Sequence, residues 1–233
     1  MFREIEYPYP DFDFSVKLVV EDAFRMAWNH LVENPSRYDV DLNTCEEDDI
    51  SIRLQDILED IIVAGGIDGF TTDIFQTVSR GENLRNFNGE HINKQPDLIF
   101  RLKDTISGVK RVYYGIFVEC KPIDEKHTIG KTYCNEGIIR FVNGDYAWAM
   151  SCGMMVGYVR NNSYTIPEKL TPALENPKYS NLLAVKLPRE CSKSKNDQPT
   201  HITEHERNWK YIDGGEPGNI VIRHLWLRVH NII

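Results

Sequence analysis

The sequence predicts one α/β domain with its strands clustered in the middle of the chain. Three patterns carry that expectation: an amphipathic helix near the start, two adjacent apolar strands around 96–121, and an apolar helix followed by a short strand over 134–159. With 233 residues, 41% of them apolar, the chain can bury a substantial core as one large domain or as a domain with a modest appendage.

Residues 14–33 repeat Val16, Val19, Val20, Phe24, Ala27, Trp28 and Leu31 at three- and four-residue spacing, which makes one helical face apolar. ENPSRYD supplies the turn that ends this helix. A second helix is expected over about 46–63, with EEDD in its first turn, where the helix dipole favours acids, and AGGIDGF as its break. GENLRNFNGEHINK (81–94) is polar and reads as a loop. PDLIFRL and VKRVYYGIFVECK read as two strands joined through KDTISG, with the chain turning near Gly108. CNEGIIRFVNGDYAWAM (134–150) reads as a helix in spite of Gly137 and Gly144, whose presence points to close backbone approach. GMMVGYV (153–159) reads as a short apolar strand. Further on, 160–180 is loop-rich with a short helix, NLLAVKL (181–187) is a candidate strand, RECSKSKNDQPTHITEHERNW is mostly loop, and NIVIRHLWLRV (219–229) is a final strand. The core is therefore expected over about 46–159, preceded by helix 14–33 and followed by a strand-and-loop extension over 160–233.

Composition narrows the function classes. No run of eighteen apolar residues exists, so no membrane span is expected, and MFREIEYPYPDFDF lacks the apolar core of a signal peptide. Five dispersed cysteines (45, 120, 134, 152, 191) with no CxxC pair fit reduced thiols in the cytoplasm. A net charge of −8 argues against a generic polyanion binder but leaves local contact with phosphate open. It points to a dimer or a partner that helps to hold the substrate.

The chemistry concentrates in YYGIFVECKPIDEK (113–126). Alternation along a strand puts Val112, Tyr114, Ile116, Val118 and Cys120 on one face, and Tyr113, Gly115, Phe117, Glu119 and Lys121 on the other. Glu119 and Lys121 then point the same way at the strand's end, and side chains of that kind are costly to bury unless paired or bound. A turn near Gly108 brings Asp97 opposite Glu119. Two carboxylates and an ammonium would converge at one sheet edge, as in a site for a hard divalent cation such as Mg²⁺, with Mn²⁺ able to substitute. Without such convergence, Glu119 and Lys121 form a solvated salt bridge. Cys120 faces the apolar side and reads as core rather than as a nucleophile.

Pro96-Asp97 followed by Glu119-Cys120-Lys121 resembles the motif of the PD-(D/E)XK nuclease superfamily, the restriction-endonuclease-like fold. The resemblance covers about half the chain and implies a core of helix, three strands, helix and strand, with a central mixed β-sheet flanked by helices. FTTDIFQTV (70–78) is the candidate for the first of the three strands. The resemblance also implies that Asp97 and Glu119 bind metal and that Lys121 acts in catalysis. Many members add an acidic residue from the preceding helix. Here Glu47 shares the inward face of Ile50 and Leu54 and is taken into the catalytic set, with Glu46 and Glu59 as competitors; any of them could instead serve only the helix dipole.

In the later helix, Arg140 and Tyr146 are candidate phosphate contacts, with an internal salt bridge as the alternative for Arg140. His201 and His205 have a zinc-compatible spacing only if helical, and they lack a cysteine pair or third ligand, so a polar loop or surface pair is the preferred reading. Arg207 and His224 could support a substrate groove or a partner contact. No P-loop, GxSxG or HExxH is present. The resemblance implies a Mg²⁺-dependent DNA endonuclease that leaves a 5′-phosphate and a 3′-hydroxyl. Its expected setting is restriction or anti-phage defence, as a homo-oligomer or beside an ATPase or sensor subunit. The alternative is a catalytically inactive nuclease-like fold that serves as a binding or assembly module.

Overall fold

All eight positions of the strand Ile116–Ile123 (β2) are buried, which requires helical cover on both faces of its sheet. The computed structural model describes residues 6–161, 164–193 and 199–229, with side chains at 187–193 and 199 left aside. Residues 1–5 and the side chain of Cys191 fall outside that set. In chain order the elements are α1 (Phe14–Glu33), α2 (Glu47–Ala64), β1 (Leu98–Phe100), β2, a π-helical stretch (Ile129–Ile138) running into α3 (Ile139–Val142), β3 (Cys152–Val159), a second π turn (Ile166–Leu170), α4 (Thr171–Glu175), α5 (Pro177–Leu182), β4 (Val185–Lys193), β5 (Pro199–His205) and β6 (Ile220–Arg228). The strands form a six-stranded mixed open sheet in the order β1-β2-β3-β6-β5-β4. β2, β3 and β6 run parallel, and the outer pairings are antiparallel.

Alternation sorts the layers. Tyr158 on β3 stacks on Trp28 of α1 and shares a 3.1 Å hydrogen bond with Ser51 of α2, so α1 and α2 cover its face. On the opposite face a Cβ at Gly137 would meet Met155 Cε at 2.5 Å and Lys121 Cγ at 3.5 Å. Glycine there lets the π-helical stretch lie directly on β2 and β3.

The structure corrects several expected boundaries. β1 covers only Leu98–Phe100, and β2 begins at Ile116 rather than near Val109. Arg111–Tyr113 is a 3₁₀ turn, so Val112 is exposed instead of joining the apolar face. The helix expected over 134–150 starts earlier, at Ile129, and stops at Val142, because Gly144 and Ala147 take left-handed backbone angles of +76° and +48°. Residues 181–182 finish α5, and the strand that follows opens at Val185. The segment read as mostly loop contains most of β4 and β5. Its buried face carries Thr203 and His205, which hid the apolar period. Residues 160–233 are more than an appendage, since β6 lies between β3 and β5 within the sheet. The 70–78 candidate forms no strand: Phe75 makes an isolated antiparallel bridge with Leu102, just past β1, and Ser79, just past the candidate, makes one with Ile99 of β1.

One network of buried polar groups lies on each face of the sheet. On the α1 face, Glu21 accepts from Arg223 Nε and Thr200 Oγ1, each at 2.5 Å, which locks the helix to β6 and β5. On the other face a chain of four side chains has a fixed direction. The Leu183 carbonyl can only accept, so His205 donates Nδ1–H to it at 2.8 Å and receives the Thr203 hydroxyl at Nε2, 2.7 Å away. His224 then donates Nε2–H to Thr203 Oγ1 at 2.8 Å and receives the Tyr133 hydroxyl at Nδ1, 3.1 Å away. This direction is the one that two neutral imidazoles impose. Burial pushes His205 down to about 4 and His224 well below the usual imidazole value.

The His201–His205 zinc reading does not survive this geometry. The two residues lie on strand β5 rather than on a helix or loop, and both His205 nitrogens are used. A folded-state pKa below the unfolded one gives stability that is present above about pH 6.5 and lost as pH falls towards 4. Thr203→Val should strip two imidazoles of a partner and lower stability at neutral pH by about 1–3 kcal/mol. Urea melts from pH 7 to pH 4 check both expectations; wild-type stability that does not change over that range contradicts them.

Candidate active site

β1 is short, and that shortness creates the site. Its last paired residue in the direction of the C-terminal half of β2 is Leu98, opposite Val118, so β2 continues past it with one side unpaired by a strand. Asp97 takes over there, accepting the Cys120 amide at Oδ2 across 2.6 Å. The next group facing that side, Pro122, has no N–H to satisfy. A carboxylate and a proline thus replace the missing strand and leave an open edge.

The α2 helix reaches that edge from the other layer. Its first residue, Glu47, accepts from Lys121 Nζ at 2.6 Å, and the same ammonium lies 2.9 Å from Glu119 Oε1. Arg140, from α3, approaches Glu119 Oε1 at 3.4 Å and is steadied by the Glu136 carbonyl and the Tyr146 hydroxyl. Tyr146 in turn donates to the Gln95 carbonyl at 2.7 Å, tying the α3 end to the segment that leads into Asp97. Glu47, Asp97, Glu119, Lys121 and Arg140 are therefore brought together. Of the other two helix candidates, Glu46 lines the same cleft as an exposed carboxylate outside the Lys121 cluster, and Glu59 is elsewhere, accepting the Val78 amide. Arg207 and His224 do not reach the site. Arg207 is buried under backbone carbonyls, including Met150 at 3.0 Å and Gly218 at 3.0 Å, and His224 belongs to the buried chain.

Burial sets the electrostatics. Glu119 is 1% exposed, and its desolvation, reinforced by Asp97, pushes its carboxyl up to about 8 against the pull of Lys121 and Arg140. Desolvation also raises Asp97 and Glu47, with Lys121 opposing it in each case. For Lys121, burial alone would lower the ammonium, but Glu119, Glu47 and Asp97 together hold it above its ordinary value. Lys121 is thus a proton donor here and not a free amine.

Lys121, Glu47 and Arg140 line a cleft of about 760 Å³, and Glu119 meets it through its contacts with Lys121 and Arg140. Asp124, His127 and Arg160 line the same cleft. Of these three, Asp124 lies within YYGIFVECKPIDEK (113–126) and His127 directly follows it, yet neither they nor Arg160 belong to a recognisable motif. Asp124 is held below the ordinary carboxylate range because its bonds to His127 and neighbouring amides outweigh the cost of burial.

The donor set suits a hard divalent cation. Glu119 Oε2 is buried with no hydrogen-bond partner among the described residues, and Asp97 uses only Oδ2. Among the described residues no three His, Cys, Asp or Glu side chains form a ready metal cluster. Two carboxylate oxygens are nevertheless a normal protein share for Mg²⁺, which keeps waters and takes phosphate oxygens. Without metal, a Glu119 carboxyl raised above its unfolded value gives stability that is full below about pH 4.5 and lost as pH rises through about 8. Glu119→Gln should abolish that alkaline loss, on the order of 4 kcal/mol between pH 5 and pH 9. Melts at pH 5 and pH 9 in chelator check it, and an unchanged pH dependence in the variant contradicts it.

Searches of family models, curated proteins and solved structures found no match to this chain.

Proposed function

We propose that the chain is a metal-dependent phosphodiesterase acting on DNA. The observation that carries this reading is the buried Lys121 ammonium between Glu47 and Glu119, beside Asp97 and the unpartnered Glu119 Oε2, at an open sheet edge. The arrangement of β1, β2, the helical crossover and parallel β3, with Ser79 bridged to Ile99 of β1, supports the resemblance to a restriction-endonuclease-like core.

Asp97 and Glu119 are the residues that would hold Mg²⁺ or Mn²⁺. When bound, such an ion supplies Lewis acidity towards the phosphate and a lowered pKa for water. Lys121 would donate to a phosphate oxygen or the attacking water and balance the carboxylates. Glu47 positions that ammonium, and Arg140 offers a second cation to the phosphate at the cleft wall.

One observation favours a second reading. The Lys121 ammonium is already satisfied by two carboxylates, so the cluster could serve only to pin α2 to β2 in a binding or assembly module. Incubation with plasmid and linear DNA separates the two readings. The nuclease reading expects cutting with Mg²⁺, none with chelator, and a loss of about 10²-fold or more in Lys121→Ala. A Lys121→Ala protein that cuts as well as the parent contradicts the assignment, and DNA binding without cutting favours the module.

A further inference from the structure

A second hydrogen-bonded array occupies the wall of the same cleft. Just past the end of β2, Asp124 Oδ1 accepts the Lys126 and His127 amides, each at 2.8 Å. His127 Nδ1 lies 2.9 and 3.0 Å from the two Asp124 oxygens. Arg160, just past β3, supports Asp124 Oδ2 from Nη1 at 3.3 Å. The same guanidinium is anchored on the carbonyls of Leu42 and Cys45, in the segment that leads into α2 and Glu47. Two strand ends and one loop thus fix a single imidazole.

A carboxylate only accepts, so the proton of neutral His127 sits on Nδ1 and the lone pair on Nε2. Nε2 has no hydrogen-bond partner among the described residues, and the ring lines the cleft with Glu47, Lys121 and Arg140. No other lining group is so placed to accept a proton. Lys121 donates to Glu47 at 2.6 Å and Glu119 at 2.9 Å, the Glu47 carboxylate is engaged by that ammonium, and Arg140 and Arg160 are cations. Glu46, Glu125 and Glu136 line the cleft as exposed carboxylates without a comparable frame, and Lys126 is an exposed cation.

We propose that His127 is the proton acceptor of this cleft, taking a proton from the water that attacks the phosphodiester. The proposal rests on the hydrolase reading above. The water oxygen forms the new P–O bond while its proton passes to Nε2. The bond from phosphorus to the 3′ oxygen breaks, its electron pair stays on that oxygen, and solvent protonates it. His127 then returns its proton to bulk water. Asp124, backed by Arg160, holds the tautomer and stabilises the imidazolium, as a buried carboxylate does for a catalytic histidine.

The test is single-turnover cleavage of a DNA duplex in Mg²⁺, with binding of the same duplex and thermal melts measured in parallel. His127→Ala should lose about 10²–10⁴-fold in rate with duplex binding retained, as expected for loss of a general base. Added imidazole should restore part of that rate, and should do nothing for Lys121→Ala. His127→Gln provides the same readout of rate and binding if the alanine variant does not fold. Cleavage by the His127 variants at the parent rate, loss of binding that matches the loss of rate, or no rescue by imidazole would each overturn the proposal. If the wild-type chain does not cut in Mg²⁺, the hydrolase reading itself fails and this inference falls with it.

Discussion

The ammonium of Lys121 is the interaction around which the site is built. It sits between Glu47, which opens α2, and Glu119, its neighbour on β2, and so joins one helical layer to the strand at the open sheet edge. Removing the ammonium would leave buried carboxylates uncompensated, a far larger penalty than the net worth of the pair. The rest of the neighbourhood accommodates that cation: Gly137 lets the π-helical stretch pass over the Lys121 stem, Asp97 closes the ladder, and Arg140 supplies a second positive charge.

Around that cluster, the sheet is stabilised by networks that need no ligand. Glu21 with Arg223 and Thr200 ties α1 to β6 and β5, and the Tyr133–His224–Thr203–His205 chain ties the π-helical stretch to the same two strands. Every member of the histidine chain finds a partner at 2.7–3.1 Å, so it rigidifies the support beneath the cleft. The cluster at the β2 edge differs, because Glu119 Oε2 is buried without a partner among the described residues. Among the described residues Arg101 Nε and Trp226 Nε1 are likewise buried without a partner, but Glu119 Oε2 is the one acceptor so placed, and it stands beside a second carboxylate at an open edge.

Much of this was legible in the sequence where one period dominates. The apolar repeat of α1 gave its span, Gly65 in a left-handed conformation ends α2 within the AGGIDGF break, and alternation placed Glu119 with Lys121 and Cys120 with the core. The same alternation put Asp97 opposite Glu119, although the connection is no tight hairpin. What failed had local physical causes. Arg111–Tyr113 has strand-like residues but closes a turn, and β5 buries threonine and histidine, whose polarity masks a strand. Asp124 and His127 are a local pair three residues apart, but Arg160 meets Asp124 only because β2 and β3 end side by side, a juxtaposition that no linear spacing encodes.

The most direct measurement of the central claim is calorimetric titration of the purified chain with Mn²⁺ at neutral pH. The account predicts saturable binding in the wild-type protein that is lost in both Asp97→Asn and Glu119→Gln, each variant keeping its far-UV circular dichroism. No binding by the wild-type chain, or binding that both variants retain, would contradict it.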